Sequence, residues 1–252
     1  TVPAYYSGSF NGSSDYISAP DSAVFYLSGD FTVECWVWIN SGTNAIQDIF
    51  CQRSAAGVGT VFAITYSASV YQQWLWIDGT NVTTSNTGNT ITPNSWTHIA
   101  WTRSGNTVKS FINGVTNHNV TYASTPTDVA AAMYIGYDSF VGTQGFTGYI
   151  SNARIVKGQA LYTANFTPST SPLTTTSQGA TASNVSLLTC QSATFIDNSP
   201  NYFTLTAGTT TVKPLAVSPF TPTASTTTAY NPATFGGSMY FDGTGDYLTV
   251  PY

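Results

Sequence analysis

The sequence predicts an all-β fold in which short antiparallel strands build a sandwich or a barrel. Only 7 % of the 252 residues are charged, whereas 14 % are aromatic. Several short runs alternate apolar with polar residues at period two, and Gly, Asn and Ser turn signals separate them. Long amphipathic helices need many Glu, Lys, Arg and Leu, and this composition excludes them.

The clearest strand is FTVECWVWI, Phe31 to Ile39. Phe31, Val33, Cys35, Val37 and Ile39 fall on one face, and Thr32, Glu34, Trp36 and Trp38 on the other. DIFCQR, VFAITYS, YQQWLWIDG, WTHIAWTR, VKSFING and AMYIGYD follow as further strands. Ser104-Gly105-Asn106 and Asn113-Gly114 mark hairpins, because Asn-Gly tolerates positive φ at both central turn positions. After GYISNARIVKG (148–158) Pro and hydroxyl residues replace the alternation. Residues 161–183 read as irregular chain wrapping a sheet, with a Ser/Thr-rich linker at 174–186. Strand signals return in VSLLTCQSATFIDNS and NYFTLTAG, and a Pro/Thr-rich passage then leads to Pro232.

At that point the chain repeats itself. PAYYSGS followed by FNGSSDYISAP (3–20) aligns with PATFGGS and FDGTGDYLTVP (232–251) across an insertion of Met239 and Tyr240. Nine of the eighteen pairs are identical, among them Gly8/Gly237, Phe10/Phe241, Gly12/Gly243, Asp15/Asp246 and Tyr16/Tyr247. Such a duplication predicts a tandem or polymeric arrangement, in which 187–252 completes a sandwich, its own or a neighbour's.

Taken in order, FNGSSDYISAP, GDFTVECWVWI, NSWTHIAWTRSGNTVKSFINGV, YIGYD and FTGYISNARIVKGQALYTANFTPSTSPLT resemble the signature segments of laminin-G-like, concanavalin A-like jelly-roll domains. The resemblance spans residues 5–173 and is strongest to the variety found in virion and tail-fibre proteins of marine bacteriophages. It implies an antiparallel jelly-roll β-sandwich at 1–173, then a linker, and opening strands of a second or neighbouring sandwich at 187–252. The function it implies is a non-enzymatic structural module of an extracellular or virion-surface fibre, assembled head to tail with copies of itself. Phe10, Asp15, Tyr16, Leu187, Leu188, Phe195, Phe241, Asp246 and Tyr247 would carry that assembly.

A lectin-like adhesin for surface polysaccharide is the alternative. The doublets Trp36/Trp38 and Trp74/Trp76 each put two indoles on one strand face, and WTHIAW adds Trp96 and Trp101. Tyr71, Gln72 and Gln73 would supply hydrogen bonds to glycans there. A monomeric calcium-dependent binding module is a further alternative. The resemblance admits Ca2+ without requiring it, with Asp15, Asp138, Asp197 and Asp246 as candidate oxygen ligands. No D-x-D-x-D-G loop is present. Ser151 and Asn152 stand where the family often has an acidic residue after GYI.

Other classes are excluded more firmly. The net charge is −5 and no two basic residues are adjacent, so there is no footprint for nucleic acid. No run reaches the ~20 apolar residues of a membrane helix. A retaining glycosidase needs two carboxylates about 5 Å apart. Glu34 is the sole Glu, and its nearest acidic neighbour Asp30 lies about 13 Å away along an extended strand. His98 and His118 read as structural or surface residues. Five N-x-S/T sequons match chance in so hydroxyl-rich a chain. Cys35 and Cys51 are a disulfide pair only if their strands are neighbours, and the default is three small buried hydrophobes.

Overall fold

A computed structural model describes residues 5–41, 44–83 and 89–221, and residues 5–221 make one compact unit. Fifteen antiparallel strands among these residues build two sheets that pack face to face as a jelly-roll sandwich. The first sheet runs β10 (Val115–Thr121), β9 (Thr107–Ile112), β8 (Trp96–Ser104), β3 (Phe31–Ile39), β12 (Thr147–Lys157), β1 (Ser7–Asn11), β15 (Lys213–Leu215), with β13 (Val185–Thr189) also on β12. The second runs β14 (Thr206–Ala207), β2 (Ile17–Ala19), β11 (Met133–Ile135), β4 (Ile46–Ala55), β5 (Val58–Ser67), β6 (Val70–Ile77), β7 (Thr80–Thr83).

Period two decides what each strand buries. The odd residues of β3, Phe31 to Ile39, enter the core with Phe62, Ile64 and Leu75 of the opposing sheet and Trp101 of β8. Asn113 (φ 49) and Gly114 (φ 77) make the β9–β10 turn with positive φ at both positions, as the Asn-Gly signal predicts. All three cysteines are free and buried. Cys35 faces the core, whereas Cys51 packs with Val61 and Trp76 in a separate cluster, so the pair considered from sequence does not form.

The chain from 158 to 184 crosses the outer face of the first sheet as a strap. Leu161 N–H donates to Thr32 Oγ1 (2.8 Å), Thr102 Oγ1–H to the Tyr162 carbonyl (2.9 Å), and Phe166 N–H to the Gly114 carbonyl (2.9 Å). Residues 174–186, read from sequence as a linker, are not a free spacer. The Thr174 and Ser177 carbonyls receive the Arg154 guanidinium at 2.7 and 3.0 Å, and Ala180 is buried with Leu173 and Leu188.

Beyond the strap, the chain re-enters the sandwich it has just left. β12 is bulged between Ser151 and Arg154, with Asn152 at φ 54, so its two halves hold different neighbours on one side. β1 pairs with the first half (Gly8↔Ile150) and β13 with the second (Ile155↔Leu187). β14 then pairs with β2, and β15 with β1. The described part of the segment read as opening strands of another sandwich is therefore paired within its own. The physical reason is that the bulge leaves the second half of β12 an unfilled edge, which β13 reaches from the strap. The repeated phrase at 232–251, with Phe241, Asp246 and Tyr247, lies outside the described residues.

Candidate functional site

On the outer face of the first sheet the registers align one row of side chains across five strands. Lys213 of β15 stands opposite Ser9 of β1, Ser9 opposite Tyr149 of β12, Tyr149 opposite Trp38 of β3, and Trp38 opposite Trp96 of β8. Directly paired residues share a face, so the row is continuous over about 19 Å, four strand spacings. The Trp38 and Trp96 rings meet edge to face at 6.0 Å, and Trp96 and Tyr149 lie 6.4 Å apart. All three rings are half-buried.

Trp36, one step along β3, is more enclosed. His98 lies 5.2 Å away and Phe220 5.6 Å away, both edge-on, and the indole N–H is buried without a partner among the described residues. The strap covers the sheet beyond it, where Tyr162 and Phe166 stack at 3.6 Å over Phe111 and His98. Among the described residues, the more open aromatic surface of this face lies at the Trp38, Trp96 and Tyr149 end.

The second tryptophan doublet lies on the opposite outer face. Trp74 and Trp76 pack on Val61 and Ala63 of the second sheet, with the Trp74 N–H donating to Asn81 Oδ1 at 3.2 Å. Tyr71 and Gln73 do not join them. Both point into the sandwich, where Tyr71 packs on Tyr66 (4.6 Å) and Gln73 Nε2 donates to the Ala100 carbonyl (3.1 Å). Their odd numbers set them opposite to 74 and 76 on a strand of period two, so the rim role expected of them is withdrawn. Trp101 is also wholly buried in the core.

The acidic residues are sorted just as sharply. Glu34, 0 % exposed, accepts Nε and Nη2 of Arg154 at 2.9 and 2.5 Å, Nε2–H of His98 at 3.0 Å and the Tyr162 hydroxyl at 2.8 Å. Burial opposes its charge most strongly. Arg154 and then His98 outweigh that effect and draw its carboxyl from 4.5 down to about 2. A carboxylate so committed holds the strap to the sheet. His98 and His118 are both buried, His118 Nδ1 lying 2.8 Å from Ser110 Oγ.

Of the candidate metal ligands, Asp15 accepts from Asn11 N–H (3.0 Å) and the hydroxyls of Thr209 and Thr211. Asp197 accepts from the N–H groups of Leu188, Ser199 and Phe203. Both carboxylates organise turns with protein donors. Asp246 lies outside the described residues. Asp138 differs, because it forms a buried cluster with Asp48 and Cys51 on β4. Its Oδ1 accepts Phe140 and Val141 N–H at 2.7 and 3.0 Å, and its Oδ2 accepts Arg53 Nη1 at 2.7 Å. Burial first, and the Asp138 charge second, push the Asp48 carboxyl well above the usual range. Sequence reasoning passed over Asp48, since an Asp heading the apolar run DIFCQR resembles an ordinary strand end. Tyr149 and Ser9 were missed because cross-strand register is not written in either strand alone.

No curated protein sequence matches the chain significantly. Among solved structures, a putative carbohydrate-binding protein from Bacteroides ovatus superposes with a TM-score of 0.54 at 18 % identity, covering 81 % of this chain and 60 % of its own. A heptameric SAP-like pentraxin from Limulus polyphemus gives 0.53 at 12 % identity, covering 82 % of this chain and 96 % of its own. At such identities these likenesses speak to the fold alone. A family model, described as the concanavalin A-like lectin/glucanases superfamily, matches residues 11–164, more than half of the sequence. It is to this superfamily that the chain belongs.

Proposed function

We propose that the protein is a carbohydrate-binding module acting outside the cell or on a virion surface, and that it takes its glycan on the outer face of the first sheet. The observation that carries this reading is the half-exposed row Tyr149, Trp38, Trp96, flanked by Ser9 and ending on the exposed Lys213. Flat aromatic rings on a rigid sheet present apolar area at low entropic cost to the C–H faces of a sugar, while the hydroxyl and ammonium groups meet its oxygens. The superfamily, whose description names lectins, supports it. The buried, fully bonded Glu34 supports a non-catalytic role.

A glycan array with the intact chain is the test, followed by calorimetry on the best ligand. Trp38→Ala is expected to cost about 2 kcal/mol, roughly a thirtyfold loss of affinity, whereas Trp74→Ala on the far face leaves binding unchanged. An array without hits, or a Trp38→Ala protein that binds like the parent, removes the proposal.

A second reading rests on the duplicated phrase: a repeating unit of a fibre in which copies of the chain join head to tail. The first copy shows what the phrase encodes. Asn11 Oδ1 caps the N–H groups of Ser13, Ser14 and Asp15, and Gly12 sits at φ 81 between β1 and β2. The second copy keeps the glycine and the second aspartate, at Gly243 and Asp246, and has Asp242 where the first has Asn11. The two readings are compatible, because a fibre can display a glycan-binding face on every unit.

A further inference from the structure

The aromatic row leaves one indole of its own face unused. Trp36 stands two residues from Trp38 on β3, about 7 Å along the strand, and belongs to the same side of the pleat. Its register partners are Ser151 of β12 and His98 of β8, so it begins a second row beside the first. Phe220 caps it. The Phe220 ring lies edge-on to Trp36 at 5.6 Å and meets the Tyr5 ring at 6.3 Å. Little fixes this cap to the sheet. β15 is three residues long, and the hydrogen bonds of residues 216–221 among the described residues are internal, Phe220 N–H to Ser218 Oγ (3.3 Å) and Thr221 N–H to the Ser218 carbonyl (3.1 Å).

What the cap covers is chemically incomplete. The Trp36 indole N–H is buried and has no acceptor among the described residues. Its neighbour His98, with ring centres 5.2 Å apart, gives Nε2–H to Glu34 and keeps Nδ1 buried and unpartnered. Leaving such groups without partners is costly, and Phe220 has no polar atom to offer either of them. One group is a donor and the other an acceptor. A sugar hydroxyl serves both kinds.

We propose that Trp36 is a further sugar subsite kept shut by Phe220, and that a glycan seated on Trp38 opens it by displacing the Phe220 ring and accepting the Trp36 N–H on a sugar oxygen. The inference rests on the glycan-binding reading above and adds to it a subsite, a plug and a ligand class. Displacement replaces one apolar contact on the indole by another, the C–H face of a sugar, and supplies the hydrogen bond that the closed arrangement lacks. Trp36 lies beside the row of Tyr149, Trp38 and Trp96 rather than in it. A sugar reaching it from Trp38 therefore leaves the line of the row, and the ligand is a branched glycan whose side residue fills the Trp36 subsite.

The test repeats the array and the calorimetry on the intact chain carrying Phe220→Ala. Affinity for branched glycans is expected to rise about tenfold, because the open fraction no longer limits binding, while the same backbone without its branch gains less than about twofold. Trp36→Phe keeps a ring and removes the N–H, so it is expected to weaken the parent about fivefold and to cancel most of the gain in the double variant. A merely structural cover behaves differently. Phe220→Ala would then lower the unfolding midpoint and leave affinity unchanged or weaker, and that result overturns the proposal. An equal gain on the unbranched backbone overturns the branched class. Should Phe220→Ala not fold, hydrogen exchange of the parent decides: the amides of 216–221 are expected to exchange faster when a branched ligand saturates the protein, and unchanged or slower exchange contradicts displacement. Glycan binding that depends on Trp38 but shows none of these responses removes the subsite and leaves the glycan-binding reading standing. An array without hits for either protein removes both.

Discussion

Arg154→Met is expected to lower the unfolding free energy by about 3–5 kcal/mol, because it strands the Glu34 carboxylate inside the protein. For a unit of this size each kcal/mol moves the midpoint by about 2–4 °C, so thermal unfolding should shift by roughly 10 °C or more. The loss is not confined to the ion pair. Arg154 also holds the carbonyls of Thr174 and Ser177, and Glu34 also receives Tyr162 and His98, so the strap loses anchors at both ends. A Glu34→Leu, Arg154→Met double variant should recover part of the stability, since an apolar pair replaces two charges of similar volume. Recovery stays incomplete because the Tyr162 hydroxyl and His98 Nε2 then have no acceptor.

The same network sets an acid limb with a definite sign. The Glu34 carboxyl is depressed in the folded protein from 4.5 to about 2, so its contribution is complete above pH ~4.5 and is lost as the pH falls toward 2. A shift of that size corresponds to about 3 kcal/mol across the window. Urea unfolding at pH 6 and pH 3 captures about 2 kcal/mol of it, with Glu34→Gln as the control that removes this titration. A parent no more sensitive to acid than Glu34→Gln would show that the pair is electrostatically idle.

Much of this architecture was legible because period two is a strong signal when a sheet has one wet and one dry face. FTVECWVWI foretold β3 residue for residue and correctly divided its indoles from its core side chains. The same rule, carried through YQQWLWI, would have set Tyr71 and Gln73 inside. Grouping them with Trp74 and Trp76 followed the proximity of their numbers rather than the pleat. Thr32 and Glu34 show where alternation stops short. They share the outer face with Trp36 and Trp38 yet are buried, because a strap more than a hundred residues downstream covers them. Nothing local to β3 announces that cover. The aromatic row is illegible for a related reason, since it is a product of registers among five strands from distant parts of the chain.

The site of β13 carries the largest consequence for how the duplicated phrase is understood. Leu187 is 0 % exposed and belongs to the main core, and Leu188 belongs to the cluster beneath the strap. Leu187→Ala is expected to cost about 2–5 kcal/mol. A chain ending at Asn184 loses β13, β14 and β15 together, leaving an unpaired edge on β12 and a core open at Leu187, Cys190 and Val212. Such a chain should associate or fail to fold, and a separate peptide of residues 185–221 should restore a monomeric sandwich. A truncated chain that stays monomeric with an unchanged midpoint would show that β13 is peripheral. In the intact protein the strand comes from the same chain, so the unfolding midpoint should not depend on protein concentration. A midpoint that rises over a hundredfold concentration range would show instead that copies exchange this segment. That outcome would make β13 the joint of a fibre, because a strand donated from one copy to the next propagates without closing.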